Sequence, residues 1–206
     1  MSTDPDRFAR AIGQFDATNR EDPHRATFDG REYPAELLYA MRMTEWLGRL
    51  EPEASEPLRL AVRCQHLRRW AIPRDRYPRT RAGYHQWRTT LARFHADSAG
   101  EVLRSAGYDE PTVDRVQSLV RKEGLKSDPE TQTLEDVACL VFLENDFVDF
   151  ARRHEPEKVV NILRKTWRKM SDRGRKAALA LVGGLPPEER ALVERAVAEM
   201  PGEPGG

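Results

Sequence analysis

Strand-forming residues are scarce in this chain. Three Ile stand against nineteen Leu and twenty-two Ala, and strict alternation of apolar and polar residues over a strand's length is hard to find. Apolar residues instead recur at i, i+3, i+4 and i+7, the spacing that gathers them on one helix face. Phe8, Ile12 and Phe15 form the first such stripe, and Leu37, Leu38, Met41, Trp46, Leu47 and Leu50 form a second after Pro34. Ser55 with Pro57 reads as the start of a third, running through Leu58 and Leu67 to Trp70. Beyond a loop rich in Pro and Arg, spacing predicts helices from about Ala82 to Ala106 and from Pro111 to near Gly124. Others follow from Asp128 through Phe150, from Glu155 to about Met170, from Ser171 to Gly183, and from Pro186 onward. The run Ala138 to Leu143 is apolar all round, which marks its helix as the most buried. The expectation is an all-α fold: one compact domain of eight or nine helices over residues 1–200, with a flexible tail at 201–206.

Charge narrows the function classes. Lys plus Arg number 34 and Asp plus Glu number 34, so the chain is formally neutral. That excludes a globally basic nucleic-acid binder and leaves room for local patches. No apolar run approaches the roughly 20 residues that span a bilayer, and residues 1–6 lack a secretory pattern. Cys64 and Cys139 are too few for a disulfide framework or a thiolate cage. A cytoplasmic protein is expected, with no membrane partner.

Locally the charge is uneven. Arg63 to Arg93 holds nine Arg and one acid, Asp75, while Lys158 to Lys176 holds eight bases against Asp172. Asp128 to Glu157 holds nine acids against Arg152 and Arg153. In the first of these stretches every base is Arg, whose planar fork holds phosphate or carboxylate with two hydrogen bonds. Arg74, Arg76, Arg79, Arg81 and Arg88 alternate there with Tyr77, Tyr84 and Trp87. Aromatic rings beside Arg suit stacking on a nucleobase or sugar; the same composition also serves to lock a loop by stacking Arg on ring faces.

Three residues on successive helices stand out as candidate metal ligands: His66, His95 and Asp136. Two imidazoles and a carboxylate make a donor set for a divalent ion. Glu135 and Asp136 precede a wholly apolar helix core, where a buried acid needs a cation or a hydrogen-bonding partner. A helix-to-helix ion pair is the structural reading of the same acid. His24 and His154 read as surface residues, and His85 is undecided. Gly183-Gly184 follows a helix with no Lys-Ser or Lys-Thr after it, so no phosphate loop is present, and no nucleophile elbow is found.

At these residues the chain resembles a family catalogued as domain of unknown function 4202. Phe15-Asp16-Ala17, Tyr39-Ala40-Met41-Arg42-Met43, Arg63 through Trp70, Ile72-Pro73-Arg74 and Gly83-Tyr84 carry the likeness. So do Phe94-His95-Ala96, Leu134 through Glu144 and Lys165-Thr166-Trp167. That resemblance brings no activity with it. More distantly, the order helix–His, helix–His, helix–acid is similar to the HD-domain metal-dependent phosphohydrolases. In that pattern His66 and His95 match histidine ligands and Asp136 the closing aspartate, and Lys122 stands where some members carry a histidine. The defining His-Asp pair is absent, with His85-Gln86 nearest to it.

The resemblance implies a metal-dependent phosphohydrolase acting on a nucleotide or other phosphorylated small molecule. A Mn, Co, Fe or Zn ion on His66, His95 and Asp136 would supply hydroxide, with Glu135 and Asp136 as catalytic carboxylates. Arg69, Arg74, Arg79, Arg81 and Arg88 would bind the phosphate, and Tyr84 or Trp87 would pack on the base. The alternative is a non-catalytic module that grips a nucleotide or RNA with the Arg/aromatic loop.

Overall fold

Side-chain caps and prolines start most of the helices. Ser55 accepts the Leu58 N–H, Thr80 the Gly83 N–H, Asp109 the Thr112 N–H and Ser171 the Gly174 N–H. Asp128 accepts two, from Glu130 and Thr131. The computed structural model describes residues 5–198; the expected tail at 201–206 lies outside them. Among the described residues there are ten α-helices, two 3-10 turns and one two-stranded hairpin, an all-α fold with slightly more helices than the spacing predicts.

The chain forms two compact units, Met1–Gly124 and Leu125–Gly206. The first contains α1 (Pro5–Arg20), β1 (Arg25–Phe28), β2 (Arg31–Pro34), α2 (Ala35–Leu50), α3 (Glu56–Cys64), α4 (Arg81–Ser105) and α5 (Glu110–Arg121). Helix α3 packs on α1, α2 and α5, and α4 packs along α5. The core is built from Phe15, Leu38, Met43, Leu58, Leu60, Val62, Leu91, Leu103 and Leu119, none more than 2 % exposed. A bidentate pair ties α1 to α3, with Arg63 Nε and Nη2 each 2.7 Å from an Asp16 oxygen.

The hairpin is a departure from the helical expectation. Arg25 pairs with Pro34 and Phe28 with Arg31, antiparallel. Asp29 and Gly30 both take positive φ, 49° and 70°, as a two-residue turn matched to the twist of a hairpin requires. The Asp-Gly step carried this signal, but the flanking strands are only four residues each and mostly exposed.

The second unit contains α6 (Pro129–Asn145), α7 (Phe147–Arg152), α8 (Pro156–Lys169), α9 (Asp172–Val182) and α10 (Pro187–Ala198). Helix α6 meets α7, α8 and α9, and α8 packs on α10. Leu134, Val137, Leu140 and Val141 of α6 are fully buried, as the all-round apolar run predicts. The spacing suggests one helix through Phe150, but the chain breaks at Asp146 (φ −118°). There the Asn145 side chain donates to the Val141 carbonyl, competing with the helical backbone pattern. Phe147 is thereby placed fully inside the core. Among the described residues no helix is long and apolar enough to cross a membrane.

Candidate functional site

Local structure in the first unit brings Glu36, His66 and His95 together. Glu36 lies in the first turn of α2, whose cap residue Pro34 offers no side-chain acceptor. Asp22, 1 % exposed, takes over that role and accepts the Glu36 N–H at 2.9 Å, together with the N–H and ring Nδ1 of His24. His66 follows the end of α3 in a turn closed by Arg68 in the left-handed region, φ 55°. Its ring stacks on Tyr39 at 4.2 Å and 9°, and its Nδ1 faces Glu36 Oε2 at 3.3 Å. Arg69 bridges the pair, with Nε 3.6 Å from Glu36 Oε1 and Nη1 3.5 Å from His66 Nε2. His95, in the middle of α4 and 3 % exposed, donates from Nδ1 to the Leu67 carbonyl at 2.8 Å. Its ring lies 5.8 Å from that of His66.

These contacts set both tautomers. A guanidinium can only donate, so Arg69 at Nε2 leaves the His66 proton on Nδ1, facing Glu36. The Leu67 carbonyl likewise holds the His95 proton on Nδ1. Burial pushes the His66 imidazole well below its usual range, and the positive charges of Arg69, Arg88 and Lys122 push the same way. Burial and neighbouring His66 lower His95 to about 3. Burial raises the Glu36 carboxyl to about 7, against the pull of Arg69. Both partners of the Glu36–His66 contact are therefore displaced toward their neutral forms. At neutral pH it is a contact between a neutral ring and a carboxyl poised between its two states, not a full ion pair.

A cavity of about 410 Å³ opens beside these rings, between the turn after α3, α4 and the end of α5. Gln65, His66 and His95 line it together with Arg69, Arg88, Arg93, Arg121 and Lys122, against one acid, Glu123. Lys122 reaches this position through a left-handed C-cap on α5, φ 57°. Five cations on one concave surface make a site for an anion, and the volume falls within the range of small-molecule sites.

The other residues singled out from the sequence have partners of their own or do not line the cavity. Asp136 and Glu135 belong to the second unit. Asp136, 2 % exposed, accepts the Ser171 N–H at 2.9 Å, the Ser171 hydroxyl at 2.5 Å and the Gln132 amide at 3.0 Å. A Cβ on Gly174 would come within 2.5 Å of its carboxyl carbon, so the carboxylate seats directly on the start of α9. Glu135 pairs with Lys169 at 3.4 Å. The acid that was expensive to bury is thus satisfied by a helix start rather than by an arginine. Arg74 donates to the carbonyls of Tyr77 and Pro78 and lies 5.9 Å from the rings of both Tyr84 and Trp87. Trp87, 9 % exposed, donates Nε1–H to the Ile72 carbonyl. This is the loop-locking role rather than base stacking. Tyr84, Arg79 and Arg81 are exposed and do not line the cavity; of the expected phosphate ligands, Arg69 and Arg88 do.

Of the expected donor set, His66 and His95 lie in the first unit and Asp136 in the second. His66 and His95 have the orientation of ligating imidazoles, Nδ1 turned to a carboxylate and to a carbonyl. Arg69, however, covers His66 Nε2, and the Asp136 oxygens are occupied by donors. Among the described residues no three His, Cys, Asp or Glu side chains are grouped to hold an ion. Glu36 escaped the sequence reading, and Gln65 entered it only within the Arg63 to Trp70 stretch that carries the family likeness, with no role of its own. An acid in a first helical turn is ordinary dipole complementation, and nothing in the sequence reveals what its side chain meets. Arg121 went unremarked for the same reason, and Lys122 drew notice only as standing where some HD-domain members carry a histidine.

Comparison with known proteins places the chain in a family. The family model described as Domain of unknown function (DUF4202) matches residues 9–193, and the chain belongs to that family. No curated protein and no solved structure matches it significantly.

Proposed function

We propose that this member of the DUF4202 family is a phosphohydrolase that takes a nucleotide or other phosphorylated small molecule into the cavity of its first unit. The observation that carries the reading is one cavity lined by both a neutral, carboxyl-backed imidazole, His66, and five cations. Arg69, Arg88 and Lys122 neutralise the phosphate, with the guanidinium forks fixing its orientation. As Arg69 turns to the phosphate it releases His66 Nε2, which takes a proton from a water attacking phosphorus. The Nδ1 proton passes to Glu36, and the P–O ester bond breaks. The same pair returns a proton to the departing alkoxide, so that alcohol and phosphate leave with protons balanced. We set the reaction in the cytoplasm.

The Arg69 contact on His66 Nε2 also favours a second reading, in which the imidazole merely seats the guanidinium and the cavity binds nucleotide without turnover. Phosphate release separates the two. Purified full-length protein is assayed against nucleoside and sugar phosphates, with Mg, Mn, Co, Zn or Fe and with chelator. Release that weakens through a higher KM in Arg88→Gln supports hydrolysis. Binding without release under every condition overturns it.

A further inference from the structure

We infer that the ligand of this cavity is a phosphorylated sugar or polyol whose hydroxyls donate hydrogen bonds to Gln65 Oε1 and His95 Nε2. The inference deepens the proposed function and rests on its anion-binding half. Gln65 and His95 line the same cavity and are 6 % and 3 % exposed. Their Oε1 and Nε2 atoms are wholly buried and meet no hydrogen-bond partner among the described residues. Buried polar atoms are nearly always paired, and an unpaired one destabilises the fold unless something supplies a partner.

Chemistry limits what that partner can be. His95 commits its Nδ1 proton to the Leu67 carbonyl, so Nε2 is a bare lone pair that can only accept. A carbonyl oxygen such as Gln65 Oε1 also only accepts. A ligand that reaches these two atoms must therefore bring donors, and the side chains that cover them part toward the cavity as it binds. An ammonium donor is disfavoured by Arg69, Arg88, Arg93, Arg121 and Lys122 around the same space. A hydroxyl donates without charge, and a polyol joins several hydroxyls to one phosphate ester. The cations then hold the phosphate, and the buried acceptors distinguish a polyol ester from a plain alkyl one. A site built to pair a hydroxyl discriminates strongly against an analogue that lacks it.

Calorimetric titration of the full-length protein with inorganic phosphate, n-pentyl phosphate and ribose 5-phosphate tests this, since the two esters share a five-carbon length and differ in hydroxyls. Ribose 5-phosphate should bind at least about tenfold more tightly than n-pentyl phosphate. In Gln65→Leu the ratio of the two affinities should fall severalfold. The variant should melt no lower than the wild type, because it removes an unpaired buried oxygen. Should Gln65→Leu fail to fold, ¹⁵N-histidine spectra of the wild type decide. The His95 Nε2 resonance must shift with ribose 5-phosphate and stay put with n-pentyl phosphate. Equal binding of all three phosphates, or an unmoved Nε2 resonance, overturns the hydroxyl inference and leaves the anion site standing. Failure of every phosphate to bind overturns both.

Discussion

Glu36 Oε2 stands 3.3 Å from Nδ1 of His66, at a point where burial has moved the carboxyl up to about 7 and the imidazole well below its usual range. A proton taken up by this pair near neutral pH rests on the carboxyl, and the imidazole hands it on. The ring is thus kept neutral by its surroundings while an acceptor that holds a proton more tightly stands behind it. This arrangement depends on Asp22, which holds the first turn of α2 and so the backbone of Glu36.

The proposed chemistry requires ionised Glu36, so turnover should rise with pH through about 7. Glu36→Gln should remove that rising limb and lower kcat by about 10²-fold, within the usual range for general acid–base groups. A pH–rate profile of both proteins checks this; a limb that survives in the variant assigns it to another group.

The same groups set opposing slopes in stability. His95 is held at about 3 in the folded protein against about 6.5 when unfolded. The unfolded chain therefore binds the extra proton between those values, and stability falls as pH drops from about 6.5 toward 3. Glu36, raised to about 7 from an ordinary 4.5, works in reverse. Its contribution is fully present below about 4.5 and is lost as pH climbs through 7. Denaturant unfolding across pH 3 to 8 should show a shallower acid loss in His95→Gln. It should show a smaller decline between about pH 5 and 7 in Glu36→Gln.

Asp136 tests the metal-ligand reading of the sequence. Its role at the start of α9 predicts that Asp136→Ala loses about 1–3 kcal/mol of stability by leaving the Ser171 donors unpaired. Thermal melting should fall, while phosphate binding in the cavity of the first unit stays near the wild-type value. Unchanged melting with abolished turnover would instead place Asp136 in the catalytic machinery.

Gly83 lets the start of α4 approach the loop that Arg74 locks. A Cβ there would lie 2.2 Å from the Pro78 carbonyl oxygen, a backbone atom that cannot simply rotate away. Gly83→Ala should cost about 1–3 kcal/mol as an overpacked contact. It should also hasten proteolysis between residues 72 and 81. Wild-type melting in that variant would contradict the close approach.

How much of this was legible follows from the range of the forces involved. Helix positions were readable because caps such as Ser55 and Asp128 and the apolar stripes are local signals. The break at Asp146 was not, since one Asn side chain bonding its own helix leaves the apolar spacing intact. The hairpin announced itself only through Asp29-Gly30, with strands too short and too exposed to alternate visibly. His66, His95, Arg69 and Arg88 were picked out by residue type, and the structure gathers them at one cavity. The roles of Glu36 and Gln65 were invisible because they come from what each faces across the fold. Arg74 and Trp87 were noticed for the right chemistry, stacking, but it is spent inside the loop.

The most direct measurement is phosphate release from ribose 5-phosphate by the wild type and His66→Gln, with binding of the same compound measured alongside. The account predicts turnover by the wild type and a loss of about 10²-fold or more in the variant, with affinity changed little. Equal turnover in the two proteins, or tight binding with no turnover in either, would contradict it.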